Sequence, residues 1–496
     1  MTRPWKHRFQ MYRHLQESAP QVYAEARRIA TELGIDAGLK GNIGLTGAVS
    51  NCHALLTRRV SEAIEAGARR VINNAVLDER IRVLVKDFYG DEWDAACINT
   101  CEAGLWVSFD ALFTPPFTGR GTTYRARYLA PYERHLHHQG GYGRPFPPRY
   151  KDLFADRGTT AGELGFYGKR MADLDVVYVP LAGGRYECHG LKYHPTPLLS
   201  QVSSSASLEA LAAVAERHAD SLTGFTSLGY DTPGYGYGEK DEEGTPRLQS
   251  GLAELARRYG VPYVVDNAWG LPFIGADPRR MGADVVVYSM DKAAGGPTAG
   301  LVVGREEVMV PIRRALGIHG DRWGTSTSHG KAAYVTNDPG KEAMLGVIAS
   351  LEVLRDEPTS FIEALDQLHL IVREEFEKLP SGIREGWLMT RSLNSLAIEL
   401  NYEGTWRDGE FGVPIFPIED MYAGTHLLQA GMSQMGVVPT IAYDANILIS
   451  PGLGTTDENG ALQEDRARLA VRALMRLIEV VCTHAGVLAP EPAVGQ

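Results

Sequence analysis

The sequence predicts an α/β protein, with a mostly parallel sheet between helices in a large domain and a smaller α+β domain at the C-terminal end. Three observations predict it. Apolar runs of strand length alternate with helical patterns between about residues 94 and 305. Short polar stretches follow the ends of several of those runs. After about residue 340 the alternation gives way to a long helical pattern, separated strands and a last helix.

The elements follow in chain order. Residues 4 to 33 read as one helix, from the spacing in "QVYAEARRIATELG", with Gly34 as its stop. "VSEAIEAGARRVINNAVLDERIRVLVKDFYG" continues helical. Residues 1–75 are read as an N-terminal helical segment and 76–338 as the large domain. In it, "DAACINT" is a short buried strand and "CEAGLWVSFDALF" the helix after it. Then come strand "DVVYVPL", helix "SLEALAAVAERHA", strand "SLTGFTSLG", helix "LQSGLAELARRYG", and strands "VPYVVDNA", "ADVVVYSM" and "AGLVVG". Such alternation implies helices on both faces of the sheet. Ligands of such sheets sit at the carboxyl ends of the strands, where "NTCEAG", "DNAWG" and "SMDK" fall. Residues 122–197, rich in Tyr, Arg, His, Gly and Pro, fit the alternation badly and are read as an ordered excursion over the active site or a subunit interface. Residues 339–486 are read as the C-terminal α+β domain and 487–496 as a loose tail.

The bulk numbers narrow the class. At 496 residues, 44% hydrophobic and 22% charged, the chain has the profile of a soluble globular protein of two to four domains. No apolar run approaches the ~18 residues of a membrane helix. No apolar stretch follows the basic N-terminus, so a secretory signal is not expected. The five cysteines (Cys52, Cys97, Cys101, Cys188, Cys482) form no CxxC pair and suit reduced thiols in a cytoplasm. A net charge of −11 favours a small-molecule substrate over nucleic acid.

Lys292 stands at the mouth of the apolar run "VVVYS". A lysine is costly to bury unless neutralised or paired; once desolvated, its amine becomes a nucleophile able to form an imine with an aldehyde. Asp266 ends "VPYVVD" and reads as a carboxylate at a strand tip, although an aspartate there could equally cap a helix. Pyridoxal phosphate needs such an acid, since a carboxylate keeps its pyridine nitrogen protonated. Ala268 is small enough to lie flat against a ring. "NTCEAG" opens a helix directly after a strand and so offers a phosphate seat. Thr100 could add a hydroxyl there, Cys101 a backbone N–H, and Ser289 a further donor.

With these residues in place, "YSMDKAAGGPTAGLVVG" resembles the lysine segment of the fold-type I pyridoxal-phosphate enzymes. It is most similar to the branch holding selenocysteine synthase and the sugar-acid ammonia lyases, with Met290 and Thr298 departing from that pattern. "GKEAMLGVIASLE" is similar to a helix of the same branch. A more distant likeness to cysteine desulfurases and class V aminotransferases covers about residues 95 to 480. The resemblance implies an aspartate-aminotransferase-like fold. It gives Lys292 the internal aldimine and proton transfer at Cα, Asp266 the pyridine nitrogen, and Thr100, Cys101 and Ser289 the phosphate. "GDRWGTST" resembles a segment that lends a phosphate ligand to the neighbouring subunit, which implies Thr325 in that role and a homodimer, or a larger assembly, with shared active sites. Tyr132 or His135 would stack on the ring, and Ser227 or Tyr230 would touch its hydroxyl. One departure matters. Many relatives bind the substrate carboxylate with an arginine in a late strand, where this chain has Leu448. Arg125, Arg127, Arg144 and Arg391 are the candidates to replace it. The histidines at 135, 137, 138, 189 and 194 lack the paired spacing of a zinc site, so no metal is expected.

The expected function is a cytoplasmic lyase dependent on pyridoxal phosphate, acting at Cα and Cβ of an amino acid by β-elimination, an S-substituted cysteine being one candidate substrate. An aminotransferase and a selenotransferase-like replacement on a tRNA-bound substrate are the alternatives. The acidic balance speaks against a nucleic-acid partner.

Overall fold

The computed structural model describes residues 5–6, 8–45, 56–113, 119–120, 123–124, 127–132, 177–180, 204–217, 219–233, 237–317, 337–405, 412–414, 427–439, 441–443 and 446–487. Contacts gather them into two compact units, one from residues 56–358 and one from 5–45 with 359–487. No helix among the described residues is long and apolar enough to cross a membrane.

The N-terminal helix expected over 4–33 is two helices, α1 (Arg8–Glu17) and α2 (Ala19–Glu32). Pro20 is the cause. It has no N–H to continue a ladder, but it suits the first turn of a new helix. Gly34 follows with φ 73°, in keeping with its expected role as a stop.

The larger unit opens with α3 (Arg58–Ala68) and α4 (Asn74–Tyr89). Its sheet is built from β1 (Trp93–Ile98), β2 (Arg127–Tyr132), β3 (Val177–Pro180), β4 (Leu222–Leu228), β5 (Tyr263–Asp266), β6 (Val285–Ser289) and β7 (Gly300–Arg305). The strand order is β1-β7-β6-β5-β4-β2-β3. Only β7 runs against its neighbours. Every residue of β1, β4, β5 and β6 is buried. That is why these strands read as continuous apolar runs rather than alternating ones: helices cover both faces. The connecting helices are α5 (Cys101–Phe113), α6 (Ser204–Arg217), α7 (Arg247–Tyr259), α8 (Glu306–Ala315) and α9 (Lys341–Asp356).

Helix α7 shows how the sequence builds one of them. Leu248, Leu252, Ala253 and Ala256 recur at helical spacing and are buried, while Arg257 and Arg258 occupy the last turn, where the dipole favours cations. Gly260 ends it in the left-handed region. Each buried leucine contributes about 2 kcal/mol, and Leu252→Ala would cost about 2–5 kcal/mol. Helix α9 packs on α3 and α4 and belongs with the sheet, not with the C-terminal unit where the sequence boundary put it. Its apolar face meets theirs. A buried ion pair clamps α8 to α4: Arg313 holds Asp78 at 2.6 Å and donates to the Ala95 carbonyl of β1 at 2.7 Å.

The second unit continues with α10 (Pro358–Phe376), β8 (Leu388–Ser392), β9 (Ala397–Asn401), α11 (Leu427–Met435), β10 (Ile441–Tyr443), β11 (Asn446–Ile449) and α12 (Glu464–His484). Its antiparallel sheet has the order β8-β9-β11-β10. Helices α2, α11 and α12 pack on one another.

Candidate active site

The site lies at the carboxyl ends of β1, β5 and β6. β5 ends on Asp266, which is 3% exposed. Its Oδ1 accepts the Ala268 N–H at 3.1 Å. Its Oδ2 is buried and has no hydrogen-bond partner among the described residues. Burial pushes this carboxyl up to about 6, with Lys292 and the Ala268 N–H pulling the other way.

β6 ends on Ser289, and the chain turns through Asp291 and Lys292, both buried. Lys292 Nζ lies 5.9 Å from the ring centre of Trp269. The turn is tightly tied. Gly295 donates to the Lys292 carbonyl at 3.1 Å and Gly296 to that of Met290 at 2.7 Å. Gly295 has φ 66°, a conformation that glycine adopts without strain. From α9, the buried Ser350 hydroxyl donates to the Ala294 carbonyl at 2.6 Å and so holds the turn from beneath. The helix that resembled a family segment in sequence is thus the bed of the lysine turn.

β1 ends at Ile98 and α5 begins at Cys101. Thr100 caps the helix, its Oγ1 accepting the Ala103 N–H at 3.1 Å. Cys101 and Glu102 stand in the first turn, where the backbone N–H groups point toward the positive end of the helix dipole. β7 crowds this turn from the sheet side: a Cβ at Gly300 would come within 2.4 Å of the Thr100 carbonyl. The Cys101 thiol points into the core, 4.0 Å from the Val287 carbonyl, and burial raises it well above its ordinary range. It stays protonated, and only the Cys101 N–H is placed to serve an anion. Glu102 is half-buried, and its carboxyl is raised by burial and by Asp266, with Lys292 opposing.

The other expected residues fall as follows. Ala268 is buried beside Asp266. Ser289 donates its proton to Asp291, so a phosphate would compete with that carboxylate for it. Ser227 faces away from Asp266. It aligns with Val265 in the parallel register, and its Oγ is 2.6 Å from the Tyr263 hydroxyl on the opposite face. Tyr230, just beyond β4, packs its ring 5.0 Å from Trp269. Its carbonyl accepts from Gln249 of α7 at 2.9 Å. Tyr132 ends β2 and Arg127 begins it. His135, Thr325, Arg125 and Arg144 lie outside the described residues. Arg391, on β8, is exposed and paired with Asp366 at 2.6 Å. Leu448 is buried in β11, opposite Glu399.

Trp269, Glu102, Asp291, Gln249 and Ser350 were not singled out from sequence. The first three neighbour predicted residues, and that adjacency was their only signal. Gln249 and Ser350 reach the site from distant helices.

The residues fit pyridoxal 5'-phosphate. The open Asp266 oxygen suits a protonated ring nitrogen, the buried Lys292 suits an aldehyde carbon, and the α5 terminus suits a phosphate. No family model matches the chain. An L-seryl-tRNA(Sec) selenium transferase of Moorella thermoacetica is 39% identical over 84 residues, 14% of this chain and 18% of the relative. An L-methionine gamma-lyase of Pseudomonas putida is 40% identical over 67 residues, 13% and 17% of the two chains. The chain thus matches less than a fifth of the length of these relatives. Among solved structures, an adenosylmethionine-8-amino-7-oxononanoate aminotransferase of Methanocaldococcus jannaschii aligns over 87% of this chain and 88% of its own, with TM-score 0.51 and 14% identity. The chain has the aminotransferase-like fold of the fold-type I pyridoxal-phosphate enzymes. An omega-transaminase of Thermomicrobium roseum shares the fold of this chain at TM-score 0.52 and 13% identity, over 87% and 85% of the two chains. Pyridoxal 5'-phosphate is the cofactor that these likenesses and the residues of the site support.

Proposed function

We propose that the enzyme is a lyase acting at Cα and Cβ of an amino-acid substrate by β-elimination, with S-substituted cysteines as the substrate class. The observation that carries it is the buried pair of Lys292 and Asp266, the acid keeping one oxygen open. Pyridoxal phosphate bound there supplies a sink for the charge that develops at Cα. Asp266 Oδ2 accepts the ring N–H and holds that proton in place. Lys292 Nζ anchors the cofactor, then removes the proton at Cα and returns it to the departing group. Thr100 and the N–H groups of Cys101 and Glu102 bind the phosphate. Ala268 and either Tyr132 or His135 would hold the two faces of the ring, and Tyr230 would meet its hydroxyl. Trp269 keeps water from the amine. Thr325 completes the phosphate site from a second copy, so the working unit is a homodimer.

The names of the curated relatives support this choice, being a selenium transferase and a gamma-lyase rather than aminotransferases. The test is incubation with S-substituted cysteines. Pyruvate and free thiol released without a keto-acid acceptor establish elimination. Turnover that depends on an acceptor makes the enzyme an aminotransferase instead, and turnover only with a seryl-tRNA makes it a replacement enzyme.

A further inference from the structure

The turn between β1 and α5 is held from a second direction. Its first residue, Asn99, donates its main-chain N–H to the carbonyl of Asn337 at 3.0 Å. Asn337 is 1% exposed, and its Nδ2 is buried with no acceptor among the described residues. The Asn99 Oδ1 is likewise buried with no donor. Buried amides are almost always hydrogen-bonded, so a donor left open beside a functional turn calls for a partner. The described residues do not supply one: the hydrogen bond that joins the two residues runs through their main chains, and both side-chain atoms stay open among them.

We propose that Asn337 is a further phosphate-binding residue, donating from Nδ2 to the cofactor phosphate seated at α5. This rests on the reading of that turn as the phosphate site. The neighbourhood suits an anion, since Asn99 leads directly into α5 and the positive end of its dipole. Of the two open amide atoms only the Asn337 Nδ2 is a donor, so it and not the Asn99 oxygen meets the phosphate. A neutral donor also adds recognition without adding charge to a pocket that already holds Lys292 beside Asp266, Asp291 and Glu102.

The test compares two ligands on cofactor-free protein: pyridoxal phosphate and pyridoxal, which lacks only the phosphate. Their affinities are read by absorbance titration for the wild type, Asn337→Ala and the isosteric Asn337→Asp. Asn337→Ala should weaken pyridoxal phosphate about ten- to a hundredfold and leave pyridoxal within about twofold. Asn337→Asp, which replaces the donor by an acceptor, should lose more for the phosphate form alone. Inorganic phosphate should compete with pyridoxal phosphate on the wild type and lose that ability in both variants. Equal losses for the two ligands, or no loss, overturn the proposal. A wild type that binds pyridoxal phosphate no more tightly than pyridoxal overturns the phosphate-site reading itself.

Discussion

Glu375 and Asp266 are both buried acids, one in each unit, and their surroundings treat them in opposite ways. Burial pushes Glu375 up, but Arg472 and Lys378 outweigh it and hold the carboxyl at about 2. Arg472 reaches it twice, at 3.0 and 2.9 Å, and Arg468 and Lys378 add to the cluster. Among the described residues Asp266 has no such guanidinium, only Lys292 and one backbone N–H, and it stays at about 6 with an oxygen open. A buried acid whose partners come from the chain serves the fold. One whose last partner must come from outside serves a ligand, and its cost to the cofactor-free protein is the other side of its affinity.

The largest effect should follow removal of the amine at the open site. Lys292→Ala should lower turnover by roughly a thousandfold or more, measured as pyruvate release, while the circular dichroism stays that of the wild type. Asp266→Asn should lower turnover about a hundredfold yet stabilise the cofactor-free protein. The sign follows from proton uptake. Between about 3.9, the ordinary value for an aspartate, and about 6, the folded state holds the Asp266 proton and the unfolded chain does not. Stability of the cofactor-free protein therefore falls as pH rises through that window, by about 3 kcal/mol in all. Denaturant unfolding at pH 8 should show Asp266→Asn as the more stable form, and at pH 4 the difference should close. Cofactor affinity of the wild type should weaken as pH drops through about 6.

The closed site behaves in the reverse sense. Glu375 is stabilising above its ordinary value of about 4.3, and that contribution is lost as pH falls toward about 2. Glu375→Gln should cost about 1–3 kcal/mol at pH 7, read by denaturant unfolding, with no change in cofactor affinity. Smallest is Ser350→Ala, which leaves the Ala294 carbonyl unmet and should cost about 1 kcal/mol. Its mark should be a slower reaction at Lys292 with Asp266 chemistry intact.

Much of this was legible in sequence because burial on both faces leaves a plain signature. "VVVYS" and "VPYVVD" are unbroken apolar runs, so a charge at their ends is conspicuous. What could not be read was which side of a strand a residue faces. Ser227 and Leu228 differ by one position, and that step turns Ser227 to the face of Tyr263. Nor could the sequence reveal partners that arrive from elsewhere: Gln249, Ser350 and Asn337 act through hydrogen bonds to main-chain atoms far along the chain. The split at Pro20 was legible in principle, since proline opens helices more readily than it continues them.

The central claim is that the open acid and the buried amine are completed by one cofactor. Borohydride treatment of the cofactor-loaded protein, followed by peptide mass mapping, tests it most directly. A phosphopyridoxyl mass is expected on the peptide bearing Lys292 and on no other, with the label weakened in Asp266→Asn at equal cofactor. A label on another lysine, or none, would contradict it.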